Sequence, residues 1–316
     1  MRIIDTLTEK FPIRKSVKQK EAFRDWFIAW ARAQGYTAQA TTPRGVFHST
    51  NLVVGDPETA KVVFTAHYDT PAVMPLPNFI TPCNVPVYFL YQLLLVPIML
   101  LLAALIGPLA GHVARVLTDN FELARQVGAL TALVTVYATL GVMMFGPANK
   151  HNVNDNTSGV AAVMELMTRL PEAERAKAAF LLFDNEEKGM LGSSAYAKSH
   201  PQIKQDSLII NMDCVGDGEN MLFFANKRTR ALDSFPLLEE AMRGVQGRTY
   251  VMNRMEKCVY PSDQRSFRHG IAVCACNRAK GVGYYCDKIH TKRDTVCEQE
   301  NLDFLAEGLC AFVERL

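Results

Sequence analysis

The chain has 316 residues, of which 34 are Lys or Arg and 32 are Asp or Glu. This length allows one large domain or two small ones, and the near balance of charge excludes a protein built to bind nucleic acid or a strongly acidic partner. Hydrophobic residues make up 49% of the chain, at the upper edge of the range for soluble proteins. Most of this excess lies in one segment.

Residues 1–20 are charged and contain no apolar stretch of signal-peptide length, so a cleaved secretory signal is not expected. The eight cysteines show no CxxC pair and no zinc-ribbon spacing. In a chain without a signal we expect free, reduced thiols. One or two disulfides in the cysteine-rich second half are the alternative.

The pattern along the chain predicts strands that alternate with helices. Aromatic residues at spacings of three and four predict a helix over residues 16–34, closed by Gly35. Apolar runs predict strands at 51–56, 61–69, 178–187, 207–217, 220–226 and 271–277. Further helices are predicted at 156–170, 190–200, 232–245 and 300–316. This alternation predicts an α/β fold with a mostly parallel central sheet flanked by helices, whose ligand site lies outside the carboxyl ends of the strands.

Residues 85–107 and 127–146 are two uncharged apolar stretches joined by a short polar link. Each has the length, about 20 residues, that a helix needs to cross the hydrocarbon core of a bilayer. We therefore expect a transmembrane hairpin, residues 84–147, inserted between two parts of one catalytic α/β domain, residues 1–83 and 148–316. Two buried helices that form a cap or a dimer seam are the alternative; such a seam would make the chain a homo-oligomer.

Two spans return the chain to the side of the membrane that it left, so both parts of the α/β domain can assemble on one face. The link carries two arginines and two acidic residues, so the positive-inside rule does not decide the orientation. The lack of a signal and the expected free thiols favour a membrane protein whose catalytic domain is cytoplasmic.

Polar residues that can carry chemistry follow the predicted strands. His67 and Asp69 form an H-x-D pair at a strand end, where residues two apart point to the same side. Asp69 can therefore orient the His67 ring or a group bound to a metal. Glu186 and Glu187 end a buried strand, and adjacent carboxylates there are costly unless cations or protons compensate them.

Three further candidates have ordinary explanations when each is taken alone. Asp155 precedes a predicted helix and can be its cap, Asp213 follows a buried strand, and His290 lies in a loop where Asp294 can brace it. Combined with the histidine and the second glutamate named above, they form a set of two histidines and three carboxylates, which suits zinc. In such a set one carboxylate can bridge two ions about 3.5–4 Å apart that activate a shared water, and a further carboxylate can take its proton.

The segments AHYDT, NDNTSGVA, FDNEEKGMLGS, NMDCVG, YPSDQRSF and IHTKRDT resemble, in the same order, the motifs of the zinc aminopeptidases of peptidase family M28. The resemblance runs from about Asn51 to Cys83, stops through the hairpin, and resumes near Asn149. It implies a zinc-exopeptidase fold, two Zn²⁺ ions per chain, and removal of N-terminal residues from short peptides. A peptide substrate and, through residues 85–146, membrane lipid are the partners that we expect.

The resemblance also implies how the metals are divided. His67 and Asp213 would hold one ion, Glu187 and His290 the other, and Asp155 would bridge them. The family's bridging aspartate is followed in some members by a second acid, whereas this chain has an asparagine there.

Five other residues match positions near the reaction in the family. Glu186 would be the general base, and Asp69 would support His67. Ser262 and Asp263 match a Ser-Asp pair near the substrate pocket, and Tyr260 is a candidate hydrogen-bond donor to the oxyanion.

The resemblance leaves the exact activity open. Related folds include dipeptidases, carboxypeptidases and glutaminyl cyclases, and the cyclases use one zinc. A non-catalytic membrane scaffold of the same fold is the remaining alternative, against which the complete set of five ligands argues. Since the hairpin separates the H-x-D motif from the bridging aspartate, we expect it to emerge close to the rim of the active site.

Overall fold

A mixed sheet forms the centre of the computed structural model, which describes residues 1–43, 48–74 and 76–316. Its strands are β1 (Ala38–Thr41), β2 (Asn51–Val54), β3 (Val62–His67), β4 (Ala178–Phe183), β5 (Leu208–Met212), β6 (Asn220–Ala225), β7 (Thr249–Arg254), β8 (His269–Ala279) and β9 (Gly283–Tyr285). Their order is β1-β2-β4-β3-β5-β8-β6-β7, and β9 pairs with β8. The four middle strands, β4, β3, β5 and β8, are parallel, which confirms the predicted fold class.

Helices cover both faces of the sheet. They are α1 (Ile3–Lys10), α2 (Val17–Ala33), α5 (Gly159–Arg169), α6 (Leu191–Ser199), α7 (Pro201–Asp206), α8 (Ser234–Gly244) and α9 (Gln299–Arg315), with α3 (Val85–Thr118) and α4 (Phe121–Phe145) forming the hairpin. Side chains of α1, α2, α5, α8 and α9 share one large apolar core with the sheet. Side chains of α6 and α7 build a smaller core on the opposite face. The molecule is thus a helix–sheet–helix sandwich.

Helix α2 begins with a capping box, in which Ser16 and Gln19 satisfy each other's main-chain N–H groups. Phe23 and Phe27 on its inner face are fully buried, as their spacing predicts. The helix also carries Lys20, which is 5% exposed and forms an ion pair with a buried aspartate just beyond β4. This pair ties α2 to the edge of the sheet where the predicted ligands lie.

The hairpin helices are longer than the sequence pattern predicts. Helix α3 has 34 residues and α4 has 25, about 51 Å and about 38 Å at the α-helical rise, and both are long and apolar enough to cross a membrane. The polar link that we expected over residues 111–126 is mostly helical, and only Asp119 and Asn120 separate the two helices. The helix can turn there because Asp119 adopts a left-handed conformation (φ 49°) and Asn120 caps α4 by accepting from Leu123 N at 3.0 Å.

Small residues bring the two hairpin helices together. A Cβ at Gly107 would lie 2.9 Å from the main-chain oxygen of Gly128, and one at Gly111 would lie 2.8 Å from that of Ala124. Such close approach through small residues is typical of helices packed in a membrane. Most of the large apolar side chains of both helices point away from the pair and are exposed, so the hairpin is apolar around its whole circumference.

Candidate metal centre

The predicted ligands meet at the carboxyl edge of the parallel strands. His67 is the last residue of β3, Asp213 directly follows β5, and Glu186 and Glu187 lie in a short 3₁₀ turn just after β4. Because β4, β3 and β5 are parallel neighbours with His67 opposite Phe183, their ends deliver these side chains to one place. This is the crevice where open α/β sheets bind ligands.

Asp155 stands between the two histidines. Its Oδ1 lies 3.4 Å from His67 Nε2, and its Oδ2 lies 3.1 Å from His290 Nε2. The two oxygens of one carboxylate therefore face two different imidazoles. Asp155 is 4% exposed, so this arrangement is shielded from bulk water.

Each histidine belongs to a separate group of three ligand atoms. One group is His67, Asp155 and Asp213, with 3.7 Å between His67 Nε2 and Asp213 Oδ1. The other is Asp155, Glu187 and His290, with 3.5 Å between His290 Nε2 and Glu187 Oε2. The atoms of each group lie within 4.8 Å of one another. A third group joins His67 to Glu186 and Glu187. The structure thus brings all five predicted ligands together, and two of the three groups share Asp155.

The chemistry of this donor set fits zinc. Imidazole nitrogens and carboxylate oxygens, three per group, leave a position open in a four-coordinate site, as catalytic zinc requires. Oε1 of Glu187 is buried and has no hydrogen-bond partner within the described ranges. A buried carboxylate oxygen without a donor is costly, and a bound cation would compensate it.

Burial governs the ionisation of these carboxylates. Burial raises the pKa of Glu186 and of Glu187 well above the ordinary value, and neighbouring carboxylates add to the effect. Burial acts on Asp155 in the same direction, but hydrogen bonds from His290 and His67 hold its pKa below the ordinary value. Burial thus disfavours the charged forms of the two glutamates, and a divalent cation beside them would compensate that charge.

Asp69 supports the centre from behind. Its Oδ1 lies 3.4 Å from His67 Nδ1, so the opposite ring nitrogen faces the ligand group. The same carboxylate accepts from the main-chain N–H groups of Glu186 (3.0 Å) and Glu187 (3.3 Å). One aspartate thus orients a histidine and fixes the turn that carries two glutamates. The H-x-D spacing indicated only the contact with the histidine.

Asp294 does not act as the sequence suggested. We expected it to brace His290, but its carboxylate accepts from the main-chain N–H groups of Asn154 (2.7 Å) and Asp155 (3.0 Å). It therefore holds the Asp155 loop in place. Burial, together with the charge of Asp155, raises the pKa of Asp294 to about 7.

Two asparagines that sequence reasoning did not single out complete the Asp155 loop. Asn154 Oδ1 accepts from Gly216 N at 2.7 Å, and Asn156 Oδ1 accepts from Cys214 N at 3.1 Å. Both bonds fasten this loop to the chain that follows β5. The sequence feature that could have pointed to these two residues is the high density of asparagine around Asp155. Asn156 thus has a structural role at the position where some family members carry an acid.

The three predicted substrate-binding residues lie beneath the centre. Tyr260 Oη donates to the main-chain oxygen of Asp213 at 2.8 Å, so a contact with an oxyanion would require it to leave that carbonyl. Ser262 is fully buried, and its Oγ accepts from Asn211 at 2.9 Å. Asp263 is also fully buried, and burial raises its pKa to about 7. Contact of these residues with a substrate stays a prediction.

A cavity of about 420 Å³ opens beside the ligands, within the range of about 300–1,000 Å³ for small-molecule sites. Glu186, Glu187 and His290 line one side of it. The end of α4 lines another side, which agrees with the expectation that the hairpin emerges near the rim.

Comparison with known proteins assigns the chain to a family. The sequence model of peptidase family M28 matches residues 137–313, more than half of the chain. The chain belongs to peptidase family M28. Membership supports a metal-dependent, peptidase-like enzyme, and it confirms the resemblance for the motifs that lie within residues 137–313. None of the curated proteins compared with the chain matches it in sequence.

Solved structures share the fold over nearly the whole chain. Glutaminyl cyclase of Porphyromonas gingivalis aligns with a TM-score of 0.61 and 16% identity, covering 99% of this chain and 96% of that one. LapA aminopeptidase of Legionella pneumophila gives 0.58 and 14%, covering 99% and 69%. A leucine aminopeptidase precursor of Bacteroides thetaiotaomicron gives 0.57 and 14%, covering 99% and 95%. At these identities the likeness establishes the M28-type fold.

Proposed function

We propose that the chain is a two-zinc aminopeptidase that removes N-terminal residues from short peptides. The observation that carries this proposal is the position of Asp155, whose two oxygens face two histidines in two complete groups of ligands. A single-metal enzyme has no need for the second group. His67, Asp155 and Asp213 would hold one zinc, and Asp155, Glu187 and His290 the other.

Zinc bound in this way lowers the pKa of water and polarises a carbonyl group. The protein must then move a proton, and Glu186 is placed to do so, because it lines the cavity with Glu187 and His290 and is not needed to complete either group that contains Asp155. Its carboxylate would take the proton of the attacking water and deliver it to the departing amine. Asp69 keeps Glu186 in position by accepting from its main-chain N–H group.

The charge of the cavity supports cleavage at the amino end of a peptide. Among the described residues that line it, Glu186 and Glu187 are acidic and none is Lys or Arg. No cationic side chain of this lining is therefore placed to bind a C-terminal carboxylate. This favours an aminopeptidase over a carboxypeptidase and over a dipeptidase, which must accept both termini.

The decisive variant is Glu186→Gln in the full-length chain. We expect it to keep two zinc ions but to lose about 10²–10⁴-fold in kcat on peptides with a free amino terminus, the usual contribution of a general base. The matched control is Glu187→Gln, which should lose zinc as well as activity. Full activity of Glu186→Gln would rule out the mechanism.

We further propose that the hairpin of α3 and α4 anchors the catalytic domain, residues 1–83 and 148–316, at the cytoplasmic face of a membrane. The length, apolar surface and small-residue packing of the two helices support the anchor. All eight cysteines are free thiols, which suits a reducing compartment. Peptides that reach the membrane surface would be its substrates.

A further inference from the structure

The last turns of α4 lie directly against the metal centre. Leu140, Gly141 and Met144 line the same cavity as Glu187 and His290. Residues three and four apart share one face of a helix, so these three positions form a continuous wall. A segment inserted into the catalytic domain therefore supplies the apolar side of the catalytic cavity.

The position of this wall is fixed from both sides of the insertion. Residues 71–73, which follow the H-x-D motif, pair in antiparallel fashion with residues 147–149 through main-chain hydrogen bonds of 2.8 and 2.9 Å. Lys15 Nζ also donates to the main-chain oxygen of Met144 at 3.0 Å. The end of α4 is thus attached within a few residues of two predicted ligands, His67 and Asp155.

The wall retains free apolar surface and free space. Leu140 is 50% exposed and Met144 is 39% exposed, so both can still bury area against a ligand. A Cβ built at Gly141 would meet only the ring of Phe145, at 4.0 Å. Gly141 therefore leaves room that a larger residue would fill.

We propose that Leu140, Gly141 and Met144 determine specificity, selecting peptides that carry a large apolar side chain next to the bond that is cleaved. The inference rests on the proposed aminopeptidase function. These three residues line the same cavity as the acidic residues of the centre, so a side chain next to the cleaved bond meets an apolar surface there. Burial of apolar area is favourable in proportion to the area removed from water, so a leucine side chain gains more from this wall than an alanine side chain.

The test compares leucyl- and alanyl-4-nitroanilide as substrates of the full-length, zinc-loaded chain in detergent micelles. Gly141→Leu fills the space, and Met144→Ala removes apolar surface while leaving the main-chain bond from Lys15 intact. Each should lower the ratio of leucyl to alanyl kcat/KM roughly tenfold or more, within the range for hydrophobic pockets. Leu133→Ala is the matched control, because Leu133 is an exposed residue of α4 that is absent from the cavity lining.

Variants are compared once their zinc content equals that of the wild type. If Gly141→Leu loses zinc, Met144→Ala decides alone. A ratio that stays within about twofold of the control in the zinc-loaded variants overturns the specificity inference while leaving the proposed function intact. A wild-type chain that cleaves neither substrate, nor any longer peptide with a free amino terminus, overturns both.

Discussion

Asp155 joins the two halves of the candidate site at the scale of single residues. Each of its oxygens faces a different histidine, at 3.4 and 3.1 Å, while Asp294 holds its main-chain N–H group from the opposite side. The carboxylate is therefore oriented by the fold and not only by the ions that it would bind. Residues that support ligands in this way are a regular part of metal sites.

This arrangement predicts different metal losses for two aspartate variants. Asp155→Ala removes a ligand from both groups and should leave less than one zinc per chain. Asp213→Ala removes a ligand from one group only and should leave about one. Elemental analysis of the purified full-length variants measures this difference, with folding checked by circular dichroism. Equal zinc contents in the two variants would contradict the bridging role of Asp155.

At this scale the sequence predicted which residues form the site better than it predicted how their side chains are arranged. Taken alone, each of the five predicted ligands had an ordinary explanation, and the order of the motifs with their resemblance to the family selected the set that the structure brings together. The contacts that support the ligands were harder to predict from the sequence. Asp294 lies four residues after His290 but contacts the Asp155 loop, since the direction of a loop side chain depends on tertiary packing and not on spacing.

Among the elements, the hairpin interrupts the series of family motifs, although the family model already matches from residue 137, in the second half of α4. The sequence predicted two apolar helices but placed their ends several residues short, because a polar stretch was taken to be a link. In the structure the polar residues 111–118 and 121–126 belong to the helices. A helix continues through polar residues wherever nothing breaks its hydrogen bonding, so composition marks the apolar part of a helix better than its ends.

The anchor role of the hairpin gives a simple fractionation result. Two helices with apolar side chains around their whole circumference should keep the full-length chain in the membrane fraction after extraction with carbonate at high pH, because their burial in lipid does not depend on charge. Immunoblotting of pellet and supernatant measures this partition. Release of the chain into the supernatant would contradict an anchor and favour the cap or dimer seam.

The whole molecule combines an M28 catalytic domain with this hairpin in one chain. Each predicted strand and helix is found in the structure. The elements α1, β1, α7, β7 and β9 were not predicted, because each is short and its apolar residues do not show a clear period. The hairpin leaves after β3 and returns before α5, so both of its ends lie on the active-site side of the sheet.

If the hairpin spans a membrane as proposed, this topology would place the turn between α3 and α4 on the side opposite to the catalytic domain. With a cytoplasmic catalytic domain, a cysteine introduced by Thr118→Cys should react with an impermeant maleimide added to intact cells. The native thiols of the catalytic domain should react only after lysis. Labelling of the native thiols in intact cells, with Thr118→Cys protected, would show the reverse orientation.

The central claim is that two metals act together at the Asp155 bridge. Its most direct test is a zinc titration of the metal-free, full-length chain, with hydrolysis of leucyl-4-nitroanilide followed at each ratio of zinc to protein. The two-metal mechanism predicts that activity rises to its plateau at two equivalents. Full activity at one equivalent, or formation of pyroglutamate from N-terminal glutaminyl peptides in place of hydrolysis, would contradict it and indicate a single-zinc, cyclase-like enzyme.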